Sequence, residues 1–145
     1  MKTGIREIAG NVNSLNKMLQ ARVLGKKFPL SVTFIITYRC NFSCRYCKIF
    51  RFKEEEMRTG QIISMIDQLI SSGMRRFSIN GGEPLLREDI GEIIGYAKRK
   101  GLLVTVFTNG YLVSEKIDAL RELDIMLISL DGPREVHDAQ RMPGA

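Results

Sequence analysis

Apolar residues recur every three or four positions at Ile5, Ile8, Val12, Leu15 and Leu19. That spacing predicts an amphipathic helix whose other face carries Arg6, Asn13, Asn16, Lys17 and Gln20. Pro29 ends the segment, because proline cannot continue a helix. After it the period changes. Val32–Thr37 is short, apolar and β-branched, as in a buried strand. Ile62, Ile63, Met65, Ile66, Leu69 and Ile70 predict a helix stopped by Gly73. Arg76–Asn80 predicts a second strand, Asp89–Lys100 a helix and Leu102–Thr108 a third strand. Ser114 can cap a helix running to about Leu123, and Ile125–Leu130 predicts a fourth strand. Residues 1–29 thus read as a helical extension. Residues 30–145 read as one α/β domain in which strands alternate with helices, the pattern of a parallel sheet with right-handed crossovers.

Four segments of unusual chemistry fall at or just beyond the predicted strand ends. They are Cys40–Cys47, Gly81–Pro84, Asn109-Gly110 and Ser129–Gly132. Parallel α/β proteins build their sites on that edge.

Composition narrows the picture. The chain has 145 residues, 44% hydrophobic and 26% charged, which suits one globular domain. No apolar run approaches the ~18 residues of a membrane span, and the first ten residues lack the apolar core of a secretory signal. A cytoplasmic protein is expected, with no membrane partner. The net charge of +6 is concentrated at the N-terminus, where residues 1–29 hold six Lys and Arg against one acid. The nearly neutral remainder argues against a nucleic-acid surface.

All three cysteines, Cys40, Cys44 and Cys47, lie within eight residues. A clustered odd set is a poor disulfide framework and points to metal or redox chemistry. Three thiolates on a four-iron cluster would leave one iron open to a small chelating ligand. Zinc in structural sites takes four ligands, so a zinc site or a non-catalytic scaffold needs a fourth from His137 or a carboxylate. Spacing alone leaves both readings open, together with inert thiols.

The segment Cys40-Asn41-Phe42-Ser43-Cys44-Arg45-Tyr46-Cys47 resembles the C-x-x-x-C-x-aromatic-C signature of the radical S-adenosylmethionine (radical SAM) superfamily. Gly81-Gly82-Glu83-Pro84 is similar to that family's second motif. Ser129–Pro133, followed by His137-Asp138 and Arg141, is similar to a segment of members that modify peptides or build cofactors. The resemblance implies a partial (β/α) TIM-like barrel, here cut to about four β/α units behind the N-terminal helix, and so an incomplete core. It implies a [4Fe–4S] cluster on Cys40, Cys44 and Cys47 and an enzyme that cleaves S-adenosylmethionine to a 5′-deoxyadenosyl radical. It assigns Tyr46 to the adenine and Gly81, Gly82 and Glu83 to the methionine amino end. Ser129 falls to the ribose or methionine part, and Arg141 to the methionine carboxylate. The partners implied are a flavodoxin- or ferredoxin-like reductant and a small-molecule or peptide substrate. From the residues alone, Glu83 reads equally as a solvated loop acid, and Asp131 and His137 as turn and surface residues.

Overall fold

The computed structural model describes Leu19, Val23, Gly25 and residues 27–145. The helix expected over Ile5–Leu19, and with it most of the 1–29 extension, lies outside the described residues.

Four parallel strands pair in chain order: β1 (Ser31–Thr37), β2 (Arg76–Gly81), β3 (Leu103–Thr108) and β4 (Ile125–Ile128). Helix α1 (Thr59–Ser72) joins β1 to β2, and α2 (Ile90–Arg99) joins β2 to β3. Gly73 ends α1 at φ +122°, its N–H donating to the carbonyls of Leu69 and Ile70. The register aligns Phe34, Ile79 and Val106 across the sheet. Those side chains, with Phe77 and Val104, pack against Ile62, Ile66, Ile90, Ile93, Ile94 and Ala97 of the two helices. Each such Ile or Phe contributes about 1.5–3 kcal/mol by leaving water. The opposite side of the strands, with Thr33, Ile35, Asn80 and Phe107, is only partly covered. One helix-covered face and one open face make a section of barrel wall.

Two connections differ from the sequence reading. Residues 111–123 form turns around a 3-10 turn at Ile117–Leu120 instead of a helix begun at Ser114. The cause is packing: this segment lies so close to α2 that a Cβ on Gly91 would sit 3.1 Å from the Ala119 Cβ. Asp124 fixes its end by accepting the Val104 N–H at 2.7 Å. A short helix, α3 (Arg134–Gln140), follows β4, where its mostly polar sequence gives no periodic signal. Among the described residues β4 bonds only to β3, and Ile125, Met126, Leu127 and Ile128 are all exposed, as is Leu130 beyond them.

Candidate active site

The cysteine loop leaves the end of β1, where the register with β2 shifts between Ile35 and Thr37. The first turn after β2 then grips it. Gly82 N–H donates to the Thr37 carbonyl at 2.8 Å, and Glu83 N–H to the Arg39 carbonyl at 2.8 Å. A Cβ on Gly82 would lie 2.0 Å from the Arg39 oxygen, and one on Gly81 (φ +149°) 2.4 Å from the Thr37 oxygen. The double glycine therefore admits the backbone that leads into the cysteines.

A cavity of about 180 Å³ opens beside this crossing. Cys40, Cys44, Cys47 and Tyr46 line it from the loop, Gly81 and Gly82 from β2, Ser129 from the end of β4, and Arg141 from beyond α3. Of the expected site residues, only Glu83 is absent from the wall. It is not a solvated acid: it is fully buried, and its carboxylate accepts Leu85 N–H at 3.0 Å, the Thr108 hydroxyl at 2.8 Å and Asn109 N–H at 2.8 Å. It thereby ties the turn after β2 to the end of β3. Asn109 continues the connection, its side-chain amide donating to Asn41 Oδ1 at 2.8 Å next to the first cysteine.

The other end of the loop is held by the segment after β4. Arg45 N–H donates to the Gln140 carbonyl at 2.9 Å. Asp131 accepts the Tyr46 hydroxyl at 3.2 Å and Arg141 Nε and Nη2 at 2.8 and 3.2 Å. The Arg141 guanidinium lies 5.9 Å from the Tyr46 ring centroid. His137 is buried, and its Nδ1 accepts the Asp131 N–H at 3.1 Å. The structure thus corrects the surface reading of His137, and makes Asp131 more than a turn residue. The segment after the cysteines is fastened through Glu56, which takes the Thr37 hydroxyl at 2.5 Å and pairs with Arg39 and the buried Arg87.

Electrostatics follow from this placement. Burial pushes the Cys40 thiol up; the Phe42 N–H donated to its sulfur opposes that, and the nearby Glu83 charge adds to it. Burial also raises the Cys44 thiol, against the attraction of Arg141. Asp131 is held below the usual carboxylate range by its hydrogen bonds from Arg141. Among the described residues no three His, Cys, Asp or Glu side chains converge on a point that could hold one metal ion. A four-iron cluster requires something else, one thiolate for each of three irons, and three free thiols on one cavity wall fit that donor set. A larger groove of about 790 Å³ runs along β1 between Phe34, Ile35, Phe52, Glu54 and Glu55. It shares Ile49 with the smaller cavity but contains no thiol.

Sequence reasoning missed Asn80, Phe107 and Thr108, which also line the cavity. Asn80 lies directly before the double glycine and caps Gly81 N–H at 2.8 Å. Strand alternation puts it and Phe107 on the face opposite the core. That signal was available once the register was known.

The family model described as the radical SAM superfamily matches residues 34–144. The Fe-coproporphyrin III synthase of Methanosarcina barkeri (strain Fusaro / DSM 804) is 38% identical over 122 residues, covering 79% of this chain and 30% of that protein. The mycofactocin maturase MftC of Mycolicibacterium smegmatis is 32% identical over 142 residues, covering 93% and 36%. The chain spans about a third of the length of these curated relatives. Among solved structures, Streptococcus suis SuiB bound to its precursor peptide SuiA superposes with a TM-score of 0.72 at 20% identity, over 88% of this chain and 30% of that one, a likeness of fold. The structure of anSMEcpe with bound AdoMet and the Cp18Cys peptide gives a TM-score of 0.64 at 28% identity, over 78% and 34%.

Proposed function

The chain belongs to the radical SAM superfamily, whose members are enzymes, and we propose that it forms the cluster- and cofactor-binding part of one. Cys40, Cys44 and Cys47 would hold a [4Fe–4S] cluster, one thiolate for each of three irons. When bound, the reduced cluster and S-adenosylmethionine would supply one-electron chemistry: an electron passed from the cluster would break the sulfonium C–S bond into methionine and a 5′-deoxyadenosyl radical able to take a hydrogen atom from the substrate.

The protein's own work is to bind and orient. Backbone at Gly81 and Gly82 receives the methionine amino end, and Arg141 receives the carboxylate, for which a planar guanidinium is suited. Tyr46 flanks the adenine and Ser129 the ribose or methionine part. Glu83, whose carboxylate accepts three protein donors, holds the strand ends together behind the double glycine. A flavodoxin- or ferredoxin-type protein delivers the electron. The substrate is a peptide or a small cofactor precursor. Support for that range comes from relatives named as a mycofactocin maturase and a porphyrin synthase, and from SuiB and anSMEcpe, solved with peptides.

One observation carries the reading: all three thiols share a cavity with Gly81, Gly82, Ser129 and Arg141, which come from three other places in the chain. The test is electron paramagnetic resonance on anaerobically reconstituted, dithionite-reduced protein with and without S-adenosylmethionine. A [4Fe–4S] signal that changes shape on adding the cofactor is expected. A cluster signal indifferent to it, or no cluster in folded protein, overturns the proposal.

A further inference from the structure

Asp131 does not line the cavity, yet it holds two side chains that do. Its Oδ2 accepts both Arg141 Nε and the Tyr46 hydroxyl, and its Oδ1 accepts Arg141 Nη2. Its own backbone is fixed in turn by the bond to buried His137. The Arg141 side chain of this pair is 11% exposed, and that of Asp131, on the solvent side, 26%. A guanidinium carries five N–H donors. Asp131 takes one from Nε and one from Nη2, which leaves three for whatever enters the cavity. A cation on a long, flexible side chain is thereby given one orientation before any ligand arrives. Its ordering cost is met during folding rather than during binding.

We propose that Asp131 is a positioning residue that tightens the grip on S-adenosylmethionine by presenting Arg141 and Tyr46 to the cavity. The proposal rests on the reading of Arg141 as the partner of the methionine carboxylate. The tie also crosses the molecule, because Tyr46 and Asp131 are 85 residues apart in the chain. Asp131 therefore sets the cofactor wall and steadies the loop between Cys44 and Cys47 with one carboxylate.

The experiment compares Asp131→Asn, Asp131→Glu, Arg141→Ala and the double variant Asp131→Asn/Arg141→Ala in the full chain. Two quantities are read: iron content and the dissociation constant for S-adenosylmethionine after reconstitution. A third, amide hydrogen exchange over residues 44–47, is read in the metal-free chain. Asn keeps the size of Asp but turns an NH2 donor or a neutral oxygen toward Arg141. We expect Asp131→Asn to bind the cofactor about tenfold more weakly with iron content unchanged. Exchange at Arg45 and Tyr46 is expected to quicken, and Asp131→Glu to recover part of the affinity. The double variant is expected to be weaker than Arg141→Ala alone by clearly less than the loss in Asp131→Asn, since the Arg141 part of the effect is already gone and only the Tyr46 part remains. If Arg141→Ala weakens binding while Asp131→Asn stays within twofold of the parent, the positioning role is wrong. Additive losses in the double variant also overturn it, because they mean that Asp131 acts independently of Arg141. If Arg141→Ala itself leaves the affinity unchanged, the reading of Arg141 fails first.

Discussion

At the scale of single residues, the site depends on atoms that are missing as much as on those present. Gly82 faces the Arg39 carbonyl with room for a hydrogen and nothing larger. Gly82→Ala must push apart the crossing of β2 and the cysteine loop. It is expected to lower the melting temperature by several degrees and bound iron to less than half, read by thermal denaturation and iron assay. Normal iron loading in that variant would contradict the geometry. Glu83 is the opposite case, a buried acid with three donors aimed at it. Glu83→Gln puts an NH2 group against at least one of those donors and is expected to cost about 1–3 kcal/mol in a urea titration. A cost near zero would mean that the three bonds contribute nothing net. The sequence placed Glu83 at the site but could not show which way it faces, because its partners Thr108 and Asn109 lie at and just beyond the end of the next strand. His137 was opaque for the same reason: nothing local marks it as buried.

At the scale of elements, hydrophobic period located every strand and both long helices to within a few residues. It worked where one face of an element is buried, as in Ile62, Ile66, Phe77, Ile79, Val104 and Val106. It failed at residues 114–123, where contact with Gly91 compresses the chain into turns, and at α3, which buries little besides His137. A polar network joins the elements around the cysteine loop. Arg87, nearly buried, donates to the carbonyls of Ile36 and Met57 and pairs with Glu56 and Asp89. Glu56 is held below the usual carboxylate range by its hydrogen bonds, that from Arg39 foremost. Burial works against the charge of Asp89, but bonds from Arg87 and Thr59 outweigh it and lower its pKa as well. Both groups thus titrate lower folded than unfolded. Their stabilisation is complete above the ordinary carboxylate range and is lost as pH falls through the lowered folded values. Melting temperature is expected to hold steady from pH 7 to about 5 and to fall below about pH 4. Arg87→Met is expected to cost roughly 2–4 kcal/mol at pH 7 and to flatten that acid limb. An unchanged acid limb in Arg87→Met would place the pH sensitivity elsewhere.

At the scale of the whole molecule, the sheet has, among the described residues, a covered face and an open one, and β4 has an unpaired edge. Ile125, Met126, Leu127, Ile128 and Leu130 together form an exposed apolar strip beside free strand hydrogen-bonding groups. Such an edge is a template for association. The 145-residue chain is expected to self-associate as its concentration rises, and Leu127→Lys to shift it toward monomer in sedimentation velocity. A monomer at every concentration would mean that the edge is already protected. No helix among the described residues is long and apolar enough to cross a membrane. The fold class was legible from the alternation of elements, and so was the strand edge that carries the site. Which loops reach across that edge was not, because those contacts join residues far apart in the chain.

That separation also has a meaning in time. Strands β1 to β4 lie side by side in the order in which they leave the ribosome. The cysteines emerge early, but Asp131, which secures Tyr46, follows 85 residues later. At about 5–20 residues per second, the cysteine loop waits roughly 4–17 s for the contact from Asp131. During that interval the thiols are open to oxidants and to adventitious metals. Iron–sulfur delivery to a nascent chain before the segment after β4 arrives would therefore meet the three thiols on a loop whose Tyr46 is not yet held.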